Sequence, residues 1–153
     1  MEFTDKNLNL EPCTKEDIDK IYALSISNLD RYEKYEDKKR ARVLNVLKDN
    51  IETHISNYRK IYKDDQHVGY YLLENKEGNI EVDDLLLFKD DETNNIGKFI
   101  VDYWKKLSEN YGKPLMLNVF KYNIEAINLY FSKGFNVVEV KKDTRVKLGY
   151  FRK

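Results

Sequence analysis

The sequence predicts a single α/β domain in which a mostly antiparallel sheet of six or seven strands is flanked by four helices. Three apolar strand segments follow one another closely between Lys60 and Phe88, a spacing typical of an antiparallel meander. One strand–helix unit precedes the apolar run at Leu115–Phe120, and that run is the strand of a second strand–helix unit. Two short strands close the chain as a hairpin. The predicted element order is therefore β-α-α-β-β-β-α-β-α-β-β.

Length and composition favour one soluble domain over residues 1–153, since domains commonly contain about 100–200 residues. Cys13 is the single cysteine, so no internal disulfide can form, which fits a reducing compartment. No segment approaches the roughly 18 consecutive apolar residues of a membrane span, and the stretch from Met1 to Asn9 lacks the apolar core of a signal peptide. We therefore expect a cytoplasmic protein without a membrane partner.

The charge balance argues against nucleic-acid binding, and the spacing of histidines and acidic residues argues against a metal site. There are 27 basic and 27 acidic residues, whereas a dedicated nucleic-acid binder usually shows a basic excess. His54 and His67 are isolated from other candidate ligands, and the acidic pairs lack the spacing of a calcium loop. We expect neither a nucleic-acid partner nor a metal.

The first half of the chain contains one strand and two helices. Leu8–Glu11 is predicted to be a short strand, and Thr14 begins a helix with Asp17 as the acidic partner of a capping box. A second amphipathic helix is predicted from Asp37 to Asn57.

The middle of the chain is predicted to form three strands with two turns. The strands are Lys60–Tyr62, Val68–Leu73 and Ile80–Phe88. Asp64-Asp65 forms the first turn, and Asn75–Asn79, which contains a glycine, forms the second.

The last third has the clearest helical period of the chain. A helix is predicted over Asn95–Asn110, ended by Gly112 and by Pro114, which cannot continue it. The remaining elements, in chain order, are a buried strand at Leu115–Phe120, a helix at Asn123–Gly134, and hairpin strands at Asn136–Val140 and Arg145–Phe151.

One candidate anion site lies where the third helix begins. A strand ends at Phe88, a polar loop follows, and Gly97 opens the helix. Free backbone N–H groups and the positive end of the helix dipole favour an anion at such a point. The alternative is that Gly97 is required only for steric reasons.

The segment from Asn123 to Phe135 resembles the Asn-x-x-Ala-x-x-Leu-Tyr-x-x-x-Gly-Phe motif of the GNAT superfamily of N-acetyltransferases. Capping alone accounts for part of the match, because Asn123 suits an N-cap and Gly134-Phe135 suits a helix C-terminus. Tyr130 adds nothing to capping. The positions that match are Asn123, Ala126, Leu129, Tyr130, Gly134 and Phe135.

The resemblance implies a sheet splayed between the fourth and fifth strands, with acetyl-CoA as co-substrate and an amine as acceptor. It implies that the pantetheine arm pairs with Leu87–Lys89, that the pyrophosphate lies on Thr93–Lys98, and that Tyr130 protonates the leaving thiolate. The residues expected to contact the cofactor are Leu87, Phe88, Lys89, Thr93, Asn94, Asn95, Ile96, Gly97, Lys98, Asn123 and Tyr130.

A carboxylate is expected to take the proton of the acceptor amine. Glu81 lies six residues before Leu87, where the histone-acetylating branch of the superfamily keeps its glutamate base, and Asp83 shares its strand face. The alternative is that Glu81 is a solvated edge carboxylate.

The loop before the third helix departs from the family pattern of Arg or Gln, x, x, Gly, x, Gly or Ala. Those three positions are Glu92, Asn95 and Gly97 here; asparagine tolerates the left-handed backbone, but Glu92 brings a negative charge towards two phosphates. Lys98 can offset that charge. Three readings stay open: an N-acyltransferase acting on a small molecule, peptide or protein; a catalytically weakened acyl-CoA-binding module; and a protein-interaction module. A homodimer is compatible with each.

Overall fold

A computed structural model of the chain describes residues 8–88, 96–141 and 144–151, without the side chain of Asp84. The elements follow the predicted order. The strands are β1 (Leu8–Pro12), β2 (Tyr58–Lys63), β3 (Gln66–Asn75), β4 (Ile80–Leu87), β5 (Leu115–Phe120), β6 (Asn136–Lys141) and β7 (Arg145–Tyr150), and the helices are α1 (Ile18–Tyr32), α2 (Asp37–Thr53), α3 (Ile96–Tyr111) and α4 (Ile124–Ser132).

The strands form one mixed sheet in the order β1-β2-β3-β4-β5-β7-β6. Every neighbouring pair is antiparallel except β4 and β5, which run parallel and are connected through α3. The predicted fold class is confirmed, including the parallel step between the fourth and fifth strands.

Local chemistry sets the ends of the first two helices. The Thr14 N–H donates to Asp17 Oδ2 at 3.0 Å in the predicted capping box, although a short 3-10 turn at Lys15–Asp17 comes before α1. The prediction for the second helix was too long, because α2 ends at Thr53. His54 leaves the helical conformation there, and its Nδ1 lies 2.9 Å from the Asn50 carbonyl oxygen, a helix-terminal acceptor.

Glycine ends the last two helices, as the sequence predicted. Gly112 and Gly134 have φ values of 66° and 94°, in the left-handed region that side chains disfavour. The Phe135 N–H donates to the Tyr130 carbonyl at 3.1 Å, and the Phe135 ring is buried against α4. This closure fixes the end of α4 and with it the position of Tyr130.

Helices cover both faces of the sheet. On one face α3 and α4 bury a cluster that includes Ile100, Trp104 and Tyr130. On the other face α1 and α2 bury a cluster that includes Ile21 and Ile51. Within the described ranges no helix is long and apolar enough to cross a bilayer.

Strands β4 and β5 separate after a short paired stretch. Only Ile80–Val82 pairs with Leu115–Leu117, and the carboxyl-terminal halves of the two strands have no register with each other. In β4, Val82 is opposite Leu73 and Asp84 is opposite Leu72, so Asp83 is an extra residue that forms a β-bulge. The splay predicted between the fourth and fifth strands is therefore present, and it opens a crevice at the carboxyl ends of two parallel strands.

Candidate active site

A cavity of about 280 Å³ fills this crevice and is lined from both faces of the sheet. The side that carries α3 and α4 contributes Leu87, Gly97, Lys98, Asn123, Ala126, Leu129 and Tyr130, and the side that carries α1 contributes Asn28, Arg31, Tyr32, Asp83, Asn118, Phe120 and Arg145. The cavity thus joins the two layers at the point where β4 and β5 part.

Tyr130 lies in the wall of this cavity, near the end of α4. Its side chain is only 6% exposed, and its ring packs 5.9 Å from the Phe135 ring, centroid to centroid. Burial raises the pKa of the Tyr130 phenol well above its ordinary value, so the group stays protonated throughout the neutral range. A neutral phenol that borders a cavity can donate a hydrogen bond to a ligand there.

The first turn of α3 forms another part of the wall. Gly97 lines the cavity, and a Cβ atom placed on it would stand 3.2 Å from Leu129 Cδ2 of α4. The absence of a side chain therefore keeps this wall open and lets α3 and α4 approach each other closely. Lys98 lines the cavity beside it and brings a positive charge.

Asn123 both caps α4 and faces the cavity. Its Oδ1 accepts a hydrogen bond from the Ala126 N–H at 3.2 Å, which confirms the capping part of the sequence interpretation. Because that oxygen is occupied, the amide NH₂ is the part of Asn123 available to a ligand.

The other residues predicted at the cofactor fall into two groups. Phe88 does not border the cavity, and its N–H donates to the Val68 carbonyl at 3.0 Å; the Ile96 side chain is buried in the core. Ligand contacts through the backbone of Ile96 stay a prediction. The remaining predicted positions lie outside the described residues: Lys89, Thr93, Asn94 and Asn95, together with Glu92.

Glu81, the predicted base, is held by three side chains. Asn118 Nδ2 donates to Glu81 Oε2 at 3.0 Å, Lys76 Nζ lies 3.3 Å from the same oxygen, and Lys147 Nζ lies 3.6 Å from Oε1. Burial of Glu81 acts to raise its pKa, but the Asn118 hydrogen bond and the two lysines outweigh burial, so the pKa is lowered. Glu81 is also absent from the cavity wall.

Asp83, unlike Glu81, reaches the cavity. As the extra residue of the bulge it lines the wall, and Asn118 Nδ2 donates to Asp83 Oδ1 as well as to Glu81. Asn118 thus fixes both carboxylates and faces the same cavity. A bulge beside a crevice is a common way of aiming a side chain into a site.

An aromatic–cationic stack stands at the α1 side of the cavity. The Tyr32 and Phe120 rings stack with centroids 5.6 Å apart, and the Arg145 guanidinium carbon lies 3.7 Å from the Phe120 centroid. Sequence reasoning missed this stack, because α1, β5 and β7 supply one residue each. Asn118 was also missed, although a lone polar residue between Leu117 and Val119 of a buried strand was a usable signal.

The described residues contain no group of three or more His, Cys, Asp or Glu side chains that could hold a metal ion. The functional groups that line the cavity are a phenol, amides, carboxylates, guanidinium groups and the ammonium group of Lys98.

Neither a protein-family model nor a curated protein sequence matches the chain. Solved structures do match. The PaiA N-acetyltransferase of Thermoplasma acidophilum in complex with coenzyme A is 15% identical, with a TM-score of 0.73 over 92% of this chain and 97% of that one. An acetyltransferase of Thermus thermophilus is 15% identical, with a TM-score of 0.69 over 94% and 96%.

A third match names the family. A Desulfovibrio desulfuricans protein described as an acetyltransferase of the GNAT family is 14% identical, with a TM-score of 0.64 over 94% of this chain and 98% of that one. At these identities the matches show a shared fold, over nearly the full length of each chain. The fold that the Asn123–Phe135 motif implied is thus the fold observed.

Proposed function

We propose that this chain, which has the fold of the GNAT acetyltransferases, transfers an acetyl group from acetyl-CoA to an amine by direct attack. The observation that carries the proposal is the cavity between β4 and β5, which is lined by residues from both faces of the sheet and has the buried phenol of Tyr130 in its wall. Two reactants that approach from opposite faces can meet only in such an opening.

The α3 and α4 side of the cavity fits the reactive end of the cofactor. Leu87 and Leu129 supply an apolar wall for the pantetheine arm, and the lack of a side chain at Gly97 leaves room for it. Lys98 and the amino end of α3 favour the pyrophosphate. The cavity is near the lower end of the volumes typical of ligand sites, about 300 Å³, so it suits the thioester rather than the nucleotide.

The cofactor supplies an activated acyl thioester, and the residues of the chain position it and move protons. Tyr130 donates a hydrogen bond, and finally its proton, to the sulfur as the carbon–sulfur bond breaks. The same carbonyl carbon forms a bond to the amine nitrogen, which must lose a proton. Holding nitrogen and carbonyl in line supplies much of the rate in such a transfer.

Asp83 is the better placed of the two carboxylates to receive that proton. Asp83 lines the cavity, whereas Glu81 lies behind Asn118 and its charge is already offset by Lys76 and Lys147. A lowered pKa also makes Glu81 a weaker base. The role of Glu81 is then to orient Asn118, and through it Asp83.

Thermal melting with and without acetyl-CoA tests the proposal. Ligand at a hundredfold excess over its dissociation constant adds about 2.7 kcal/mol, which for a chain of this size corresponds to roughly 5 to 10 °C. No shift at millimolar acetyl-CoA contradicts cofactor binding.

The second candidate is an acyl-CoA-binding module without turnover. The observation that favours it is the neutralisation of Glu81, the predicted base, by two lysines. A melting shift without acetylation of any amine in a broad panel is the result expected for this module, and measurable acetylation excludes it.

A further inference from the structure

The half of the cavity on the α1 side holds a guanidinium group, that of Arg145, to which the proposed acyl transfer assigns no role. We infer that the acceptor is an amine that also carries a carboxylate several bonds away, with Asp83 binding the ammonium group and Arg145 binding the carboxylate. This inference rests on the proposed function, and it names the substrate class of the same site.

Arg145 and Asn118 belong to the same sheet face. The alternate residues Leu117 and Val119 of β5, and Val146 and Leu148 of β7, are buried on the side of α3 and α4. Side chains alternate along a strand, so Asn118, Phe120 and Arg145 face the side of α1.

The Arg145 guanidinium is oriented by its contact with the Phe120 ring at 3.7 Å, which is itself stacked on Tyr32. A guanidinium that lies on an aromatic ring keeps its N–H groups at the edge of the plane, where they match a planar carboxylate. Arg145 is partly buried and lines the cavity, and no carboxylate of the described residues forms an ion pair with it.

Asp83 is the complementary group for the amine. Within the described part of the chain no cation forms a salt bridge with it, whereas the neighbouring Glu81 pairs with Lys76 and Lys147. Asn118 holds the Asp83 carboxylate at the cavity wall by a hydrogen bond. An ammonium group in the cavity would give Asp83 a positive partner.

The strand register gives the spacing of the two β5 residues that hold these charged groups. Asn118, which holds Asp83, is opposite Lys147, and Phe120, which carries the Arg145 guanidinium, is opposite Arg145. Two residues along a strand correspond to about 7 Å. An α-amino acid has its ammonium and carboxylate on one carbon and cannot span this distance, whereas an ω-amino acid, or the side-chain amine of a longer amino acid, can.

Calorimetric binding of two matched amines to the CoA-loaded protein tests the inference. ε-Aminocaproate and pentylamine differ only in the carboxylate. We expect ε-aminocaproate to bind roughly 10- to 100-fold more tightly, the ratio expected for a charge-assisted hydrogen-bonded pair. Glycine should gain no such advantage over methylamine, because its two charges are too close together.

Arg145→Met should reduce the affinity for ε-aminocaproate to about that for pentylamine, because methionine retains an apolar stem over Phe120 but carries no charge. Lys121→Met is the matched control: it removes one positive charge from an exposed neighbour of Phe120 outside the cavity wall, and it should keep the preference. Equal affinity for the two amines in the parent protein, or a preference that survives Arg145→Met, overturns the inference.

The measurement also separates this inference from the proposed function. If CoA fails to bind, the proposed function fails, and the two amines can still be compared on the unloaded protein. If CoA binds and amines are acetylated without any preference for a carboxylate, the function stands and the inference falls.

Discussion

Tyr130 is the residue on which the mechanism depends most. Its hydroxyl makes no hydrogen bond to another residue in the described structure, so Tyr130→Phe leaves no buried group without a partner. We expect near-unchanged melting and acetyl-CoA affinity, with turnover reduced roughly 100-fold, within the usual range for loss of a general acid. Steady-state release of CoA thiol measures this. Turnover within about twofold of the parent removes Tyr130 from the chemistry.

Substitutions of Asp83 and Glu81 should differ in their effect on turnover. Asp83→Asn keeps the shape but loses the charge that faces the cavity, and we expect a drop in turnover of at least about tenfold. Glu81→Gln should reduce turnover less, since Glu81 does not border the cavity. Thiol-release kinetics of both variants, at saturating acetyl-CoA, decide the order. A larger loss for Glu81→Gln assigns the base to Glu81, as the sequence alone predicted.

Glu81 should instead affect stability in acid. The pKa of Glu81 is lowered in the folded protein, so its ionised form stabilises the fold above the ordinary glutamate value of about 4.3. That contribution is lost as the pH falls through the lowered folded-state pKa. Melting temperatures between about pH 6 and pH 3 should therefore fall more steeply for the parent than for Glu81→Gln. Equal slopes of melting temperature against pH for the parent and Glu81→Gln contradict a lowered pKa for Glu81.

Among the elements, the opening between β4 and β5 and the start of α3 form the proposed cofactor side of the cavity. Gly97→Val should weaken acetyl-CoA binding by at least about tenfold, because the added side chain enters the cavity wall and presses on Leu129. Gly78→Val is the control, since nothing lies within 4 Å of the Cβ position at Gly78. Calorimetric titration with acetyl-CoA compares them. Equal affinities would place the cofactor elsewhere.

The elements themselves were largely predictable from local chemistry. Gly112 and Gly134 marked helix ends, and Asp64-Asp65 marked a turn whose residues have positive φ values of 52° and 67°. Local signals could not predict the bulge at Asp83, because it depends on the pairing of β4 with β3. The second helix was predicted too long for a similar reason. The apolar period does not indicate that the helix ends where the His54 side chain contacts the Asn50 carbonyl oxygen.

For the molecule as a whole, more of the residues on the proposed cofactor side of the cavity than on the proposed acceptor side were predicted from the sequence. Tyr130 and Asn123 fall in one contiguous segment that resembles a family motif, and Gly97 opens the helix that follows a loop near β4 in the sequence. Asp83, Asn118 and Arg145 come together only through a bulge, a strand register and a ring stack, and these depend on tertiary structure. One side of the cavity is thus formed by residues that lie close together in the sequence, and the other side by residues that the sheet brings together.

A parallel count of CoA thiol released and amine acetylated by the parent protein tests the proposed acetyl transfer. With acetyl-CoA and ε-aminocaproate, we predict one acetylated amine for each thiol released, at a rate that saturates with both reactants. Tyr130→Phe should lower both counts together. Thiol release that is independent of amine, or binding of acetyl-CoA without any acetylated amine across a panel of amines and peptides, contradicts the account.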